Sequence, residues 1–373
     1  MVPSANEFVF FLLFLLFIFL MLALDLGILN RKQHKPGFWE SLIWTSIWVG
    51  ISIAFYFLIK THGNLIHGAD SWEAIQERIL RFHHPISILG LENNVPKAIE
   101  IYNHNLALEY LSGYLIEYSL SVDNIFVIIM IFLSFNIRQE YYKKVLFWGI
   151  LGAVVMRFIF IFAASALIQQ FNWFLTVFGV LLVILGARMG YQFFSKKDEN
   201  VIDTERHPVV RFASRFLSVA KEDHGEKFWV RIGGKFFITP LFLVLMIIEF
   251  ADVLFAVDSV PAVFSVTQDP YVVFFSNIFA ILGLRSLFFL VIDVMNRFHY
   301  LKLGLAILLI FVGAKMIFHF LGWIHLTTSQ SLYIIVAILA LSTLASIIKN
   351  LFASNVKTAG QSSAIEKERR RNN

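Results

Sequence analysis

Nine stretches of roughly 20 apolar residues, each the length that crosses the hydrocarbon core of a bilayer, follow one another along this chain. They lie near residues 8–29, 39–60, 106–134, 144–168, 172–194, 237–265, 272–295, 301–322 and 330–352. The expected fold is therefore an all-α polytopic membrane protein with about nine transmembrane helices. Composition agrees: 58% of the 373 residues are hydrophobic and 15% charged, where a soluble domain carries about 25% charge. With no cysteine in the sequence, disulfides, thioether-linked haem, iron–sulfur clusters and thiolate zinc sites are excluded. No prosthetic group is expected.

The basic residues set the expected orientation. Twenty-three Lys and Arg fall on one side of the nine-span layout, and only Arg78, Arg81 and Lys97 on the other. Cytoplasmic loops carry the excess of Lys and Arg, so the N-terminus is expected outside and the C-terminus in the cytoplasm. The net charge of +5 is read as topology, not as a nucleic-acid surface. The segments are then two N-terminal helices in 1–60, an outer loop 61–105, a first three-helix unit 106–194, a mixed-charge cytoplasmic linker 195–236, a second three-helix unit 237–322, a last helix in 323–353 and a polar, disordered tail 354–373.

The two three-helix units repeat one another. EYSLSVDN (117–124) corresponds to DVLFAVDS (252–259) at an offset of 135, and each next span has an arginine, Arg157 or Arg285. Gly186-Ala187-Arg188-Met189 corresponds to Gly313-Ala314-Lys315-Met316 at an offset of 127. A unit of three spans crosses the membrane an odd number of times, so the second copy runs in the opposite sense. Inverted repeats of this kind form the core of many secondary transporters, with the substrate at the midplane between them.

Charge inside the bilayer costs several kcal/mol per group and marks an ion pathway by default. Glu117, Asp123, Glu249, Asp252 and Asp258 fall inside the two related spans, with Asp25 and Asp293 near the inner ends of spans one and seven. On a helix Glu117, Ser121 and Asn124 share a face, as do Asp252 and Ser259. Asp123 and Asp258 join them only if the helix breaks, as at Pro261, or if a neighbouring span supplies the other wall. Carboxylates, an amide and hydroxyls make a hard oxygen site for Mn²⁺, Ca²⁺ or Mg²⁺. Arg157, Arg188, Arg285 and Lys315 are expected to balance the charge, and Met189 and Met316 to pack. The five histidines of the outer loop and its border (His62, His67, His83, His84 and His104) are expected at the surface.

LALDLGILNRK (22–32), EYSLSVDNIFV (117–127), the run from Glu249 to Phe289 and the two GA(R/K)M stretches resemble the TerC family, in particular its Alx-like members. The resemblance implies a bacterial inner-membrane protein of the LysE-like transporter superfamily, associated with tellurite resistance by name and with Mn²⁺ export. It also implies that Asp123, Asn124, Asp258 and Ser259 bind metal with Glu117 and Asp252 beside them, and it adds Asp25 through ALDLG.

The expected function is export of a divalent metal ion, Mn²⁺ before Ca²⁺, with exchange for protons one route and facilitated passage another. Its partners are then the ion and the lipid bilayer; a homo-oligomer stays open. A rival expectation is an accessory protein assisting insertion or metalation of other proteins, docking through 61–105 and 195–236. No enzyme is expected: the YD and GxGD patterns of intramembrane proteases are absent, as is any nucleotide-binding motif.

Overall fold

The structure is a computed structural model that describes residues 5–29, 37–135, 137–171, 173–195, 225–232, 235–294, 300–321, 323, 326–327 and 329–349. Helices dominate: α1 (Ala5–Leu29), α2 (Phe38–His62), α3 (Asn64–His67), α4 (Trp72–Phe82), α5 (Val95–Ser134), α6 (Tyr142–Gln170), α7 (Phe174–Ser195), α8 (Pro240–Phe264), α9 (Pro270–Leu282), α10 (Leu284–Val294), α11 (Leu301–Phe320) and α12 (Ser329–Lys349). Five of them, α2, α6, α7, α8 and α12, are long and apolar enough to span a bilayer, and α9 with α10 makes a sixth, bent by 44°. The chain is thus a helical membrane protein. It is not purely helical: an antiparallel hairpin, β1 (Trp229–Ile232) with β2 (Lys235–Ile238), leads into α8, where the sequence offered only a linker. The rest of that linker and the tail expected to be disordered lie outside the described residues.

The centre of the bundle is α9. Every residue from Val272 to Leu282 is buried, and a helix that is apolar all round belongs inside. Asp269 starts it by accepting from the Tyr271 and Val272 backbone N–H groups, with Pro270 at the first helical position. The α1 helix lies along it through aromatic contacts, Phe14 meeting Phe275 at a ring-centroid separation of 4.3 Å. Around α9 pack α5 and α6, while α6 also meets α8 and α7 meets α11.

The α7–α11 crossing depends on missing side chains. A Cβ on Gly186 would stand 2.7 Å from the Ala306 carbonyl, and one on Gly179 would stand 2.9 Å from that of Gly313. Gly186 also faces Ile310, and Gly313 faces Val183. Glycine here lets two backbones approach closely, the usual device for joining helices in lipid.

Pro261 does not break span six: α8 runs through it to Phe264. The proline stands close to the end of the helix, where its carbonyl accepts from Ser265 N–H, so little helix remains to be deflected. The interruption instead falls in span seven, at Gly283, which packs against Trp48 of α2.

The outer loop folds as two short helices. Ser71 caps α4 by accepting from Ala74 N–H, and Ile75, Ile79 and Phe82 form its buried face. His83 ends α4 in the left-handed region (φ 52°), uncommon for a residue with a side chain, and this turn carries His84 inward.

Candidate ion-binding site

Arg157 organises the middle of the bundle. Its side chain is fully buried on α6, and Nη1 donates to Glu117 on α5 and, at 2.6 Å, to Asn277 Oδ1 on α9. Nη2 lies 3.5 Å from Asp252 Oδ1 on α8. One guanidinium thereby joins four helices, which its planar fork of donors permits and a lysine's point charge would not. Asn277 is held for this role because its own amide donates to the Val273 carbonyl at 3.0 Å. Sequence reasoning missed Asn277. A buried amide in the apolar run SNIFAILGLR was the available signal.

The pairing is incomplete. Glu117 Oε2, Asp252 Oδ2 and Ser259 Oγ are buried and have no hydrogen-bond partner among the described residues. Buried polar atoms are nearly always satisfied, and exceptions call for a strained, catalytic or ligand-binding explanation. Asp252 also lines a small cavity, together with Asn124, Gly149, Arg157, Phe255 and Phe288, among others. Glu249, one turn before Asp252 on α8, rests its carboxylate on Gly152 of α6, where a Cβ would collide with both oxygens. Ser121, expected on the Glu117 face, donates to Glu117 Oε1 at 3.4 Å.

The other proposed charge-balancing residues are Lys315, Arg188 and Arg285. Lys315 on α11 donates to the Ser265 carbonyl at 3.0 Å, at the end of α8; Arg188 is exposed on α7 and Arg285 is buried on α10. The backbones of Asp25, Asp123, Asp258 and Asp293 run in α1, α5, α8 and α10, but their side chains lie outside the described residues. Among the described residues no three acidic or histidine side chains converge with metal-binding geometry. Met316 is buried and Met189 packs against the same core, as expected.

A second polar layer lies at the outer end of the bundle, as the expected orientation has it, and corrects the reading of the histidines. His62, His83 and His104 are exposed, but His67 and His84 are buried. Their burial comes from carboxylates far away in sequence. His67 Nδ1 is 3.1 Å from Glu7 Oε1 and Nε2 is 2.7 Å from Asp269 Oδ2; Arg78 and Arg81 approach the same Glu7 oxygen at 3.5 and 3.9 Å. Carboxylates only accept, so both imidazole nitrogens carry protons. Burial pushes His67 down, yet Asp269 and Glu7 overcome it and hold its pKa up at about 9. Burial likewise pushes Asp269 up, and the charge and hydrogen bond of His67 more than reverse this, keeping it below the usual carboxylate range.

Next to it, Glu109 accepts from His84 Nδ1 at 2.9 and 3.0 Å, from Asn105 at 2.6 Å and from Thr267 Oγ1 at 2.6 Å. Thr267 Oγ1 also accepts from Asp269 N–H at 3.3 Å, which ties the two histidine–carboxylate sets together.

Residues 102–356 match the family described as "Integral membrane protein TerC family". The chain belongs to that family. An uncharacterized membrane protein of Myxococcus xanthus is 38% identical to this TerC chain over 340 residues, 91% of this chain and 92% of its own. Proteins named "Putative membrane-bound redox modulator Alx" are 35% identical in Photorhabdus laumondii, over 91% of this chain and 94% of the relative, and 37% identical in Escherichia coli K12, over 87% and 89%. No solved structure matches. The family match takes in Glu109, Glu117, Arg157, Asp252, Ser259 and Asn277, whereas Glu7, His67 and His84 precede it.

Proposed function

We propose that this TerC-family protein is a secondary transporter that moves a divalent cation, Mn²⁺ before Ca²⁺, out of the bacterial cytoplasm. Its path runs through nine spans, N-terminus outside and C-terminus inside, with two inverted repeats (106–194 and 237–322) around the site. The observation that carries this reading is the set of buried oxygens on Glu117, Asp252 and Ser259 without a partner among the described residues, with Asp252 lining a cavity. A carboxylate left unfilled in a water-poor interior is costly unless a cation fills it, and the donors are the hard oxygens that Mn²⁺ prefers. Asn124, Asp123, Asp258 and Glu249 complete the ligand set in this proposal, and Arg157 balances part of its charge.

The contacts between the units support the inverted repeat. At the 127 offset Gly179 corresponds to Ala306, Val183 to Ile310 and Gly186 to Gly313. The contact of Gly186 with Ala306 and Ile310 then has its counterpart in the contact of Gly313 with Gly179 and Val183. Likewise the first helix of each unit packs on the second of the other, α5 on α9 and α8 on α6. Such exchange is what a pseudo-two-fold axis in the membrane plane requires.

The Alx relatives are named for redox modulation. With no cysteine in this chain, any such effect here would act through the transported metal, not through a thiol.

Reconstitution into liposomes tests the reading. Wild-type protein is expected to carry Mn²⁺, and Asp252→Asn, which keeps an acceptor for Arg157, is expected to lose at least tenfold in flux while eluting as a folded species. Absence of flux in the wild type, across several divalent ions and with a pH gradient, would instead favour the accessory-protein role.

A further inference from the structure

Among the described residues the outer polar layer brings together eight Asp, Glu, His, Lys and Arg side chains beside Tyr102, and the hydrogen bonds of the eight show which of them is able to change its protonation. His67 is filled at both nitrogens by carboxylates. Asp269 Oδ1 accepts from the start of α9 and Oδ2 from His67. Both oxygens of Glu109 are occupied by His84, Asn105 and Thr267. Glu7 is engaged by His67 and Arg78, with Arg81 close by, and Lys315 donates to the Ser265 carbonyl. Adding or removing a proton at any of these groups breaks a bond in a buried layer, which is expensive.

His84 is different. Its Nδ1 must carry hydrogen to face the carboxylate of Glu109, while Nε2 is buried and has no partner among the described residues. That nitrogen takes or gives up a proton with every other bond left in place. A small cavity lies close by: its lining takes in His83 and Pro85, on either side of the buried His84, with Thr267, which donates to Glu109, and Gln268 and Lys315.

We propose that His84, set against Glu109, is the site where this transporter takes up its counter-transported proton from the outer side. The proposal rests on the transport reading and names the group that carries the coupling. The charged and titratable groups facing His84 are Glu109 and Tyr102 on α5 and Asp269 at the α8–α9 turn; behind them stand Lys315 on α11 towards Glu109, Arg78 on α4 and Glu7 on α1 towards Tyr102, and His67 on α3 towards Asp269. Phe82 and Tyr102 set their rings edge-on to the imidazole at 6.0 and 5.6 Å, which restricts it to the rotamer that faces Glu109.

Coupling follows from distance. Glu109 and Glu117 are eight residues apart on α5, about 12 Å along its axis. A proton on His84 neutralises Glu109 and so removes a negative charge that helps hold a divalent cation at the Glu117–Asp252 level. At the effective dielectric typical of proteins, one charge acting on another over that span alters affinity by about tenfold per unit charge on the ion. Protonation from outside therefore favours release of the metal to that side.

The test is Mn²⁺ flux in liposomes against external pH from 5.5 to 8.5, with wild type beside His84→Asn, whose amide N–H still donates to Glu109. Wild-type flux is expected to change at least tenfold across the range. The variant is expected to exchange Mn²⁺ for Mn²⁺ at a rate that no longer follows pH. An unchanged pH profile in the variant overturns the proposal, whereas no flux in the wild type overturns the transport reading on which it rests. Should His84→Asn not fold, ¹⁵N-histidine NMR of the wild type in nanodiscs decides. A His84 Nε2 signal that changes with pH while Nδ1 keeps its proton is the result expected, and a static Nε2 signal overturns the assignment.

Discussion

The two polar layers of this protein use the same kinds of residue to opposite ends. In the outer layer His67 has an acceptor at each nitrogen and Glu109 a donor at each oxygen, and both side chains are fully buried. In the middle layer Arg157 reaches three acceptors, yet an oxygen on Glu117, one on Asp252 and the hydroxyl of Ser259 have no partner. The pairing of His67, Asp269 and Glu109 pins α1, α3, α5 and the α8–α9 turn together. Partial pairing leaves room and charge for something that the protein does not itself supply. The contrast teaches that intramembrane charge is not by itself a functional sign; the unpaired remainder is.

The contrast breaks most visibly if its organiser is removed. Arg157→Leu leaves Glu117 and Asp252 as buried, uncompensated carboxylates and is expected to cost about 3–5 kcal/mol, seen as loss of the monodisperse peak in detergent and a lower thermal midpoint. Arg157→Lys keeps the charge but not the fork that reaches α5, α8 and α9 at once, so it is expected to recover only part of that loss. An unchanged midpoint for Arg157→Leu would mean that the four helices do not depend on this residue.

His67→Gln probes the outer layer and has a pH signature. The folded pKa of about 9 exceeds the ordinary value near 6.5. The protonated imidazole therefore contributes stability that is complete below about pH 6.5 and is lost as pH rises through about 9. Its worth is of order 3 kcal/mol, from the free energy that accompanies each pKa unit. The depressed Asp269 works the other way, giving stability above the carboxylate range that is lost in acid. The wild-type thermal midpoint is expected to fall on both sides of a neutral plateau, and its lead over His67→Gln to shrink as the pH passes 9. A lead that persists to pH 10.5 would show that His67 is not held as the cation.

How much of this was legible in the sequence depends on the range of the interaction. Span limits follow from local apolarity, and α2, α6, α7 and α8 begin and end within about three residues of their expected bounds. Arg157, Glu117 and Asp252 were legible because charge inside an apolar run is conspicuous. His67 and His84 were misread because nothing near them in sequence is apolar or acidic in a telling pattern: Asp269 is 202 residues from His67. Asn277 was missed because an uncharged amide disturbs hydropathy little. A break was expected in span six at Pro261 because proline is the louder signal, although a proline near a helix end has little helix left to bend, and the bend in span seven at Gly283 was not foreseen.

The smallest change sharpens the contrast most, because it separates ligand binding from folding. Ser259 Oγ is buried and unpartnered, so Ser259→Ala removes a polar atom that folding has desolvated without return. Its stability is expected to stay within about 1 kcal/mol of wild type, or to rise, since a buried hydroxyl without a bond is a penalty. If the hydroxyl is instead kept for a cation, the same substitution is expected to weaken Mn²⁺ protection against thermal unfolding several-fold in apparent affinity. Gly152→Ala offers the companion test at the same layer. The new methyl group displaces the Glu249 carboxylate, which is flexible enough to move, so metal protection is again expected to fall with little change in the metal-free midpoint. A control in the outer layer, Thr267→Val, removes a donor that Glu109 uses and is expected to do the reverse: lower stability by about 1–3 kcal/mol with Mn²⁺ protection preserved. If Ser259→Ala lowered the metal-free midpoint as much as Thr267→Val, the two layers would not differ in kind, and the unpaired oxygens would have to be explained by packing.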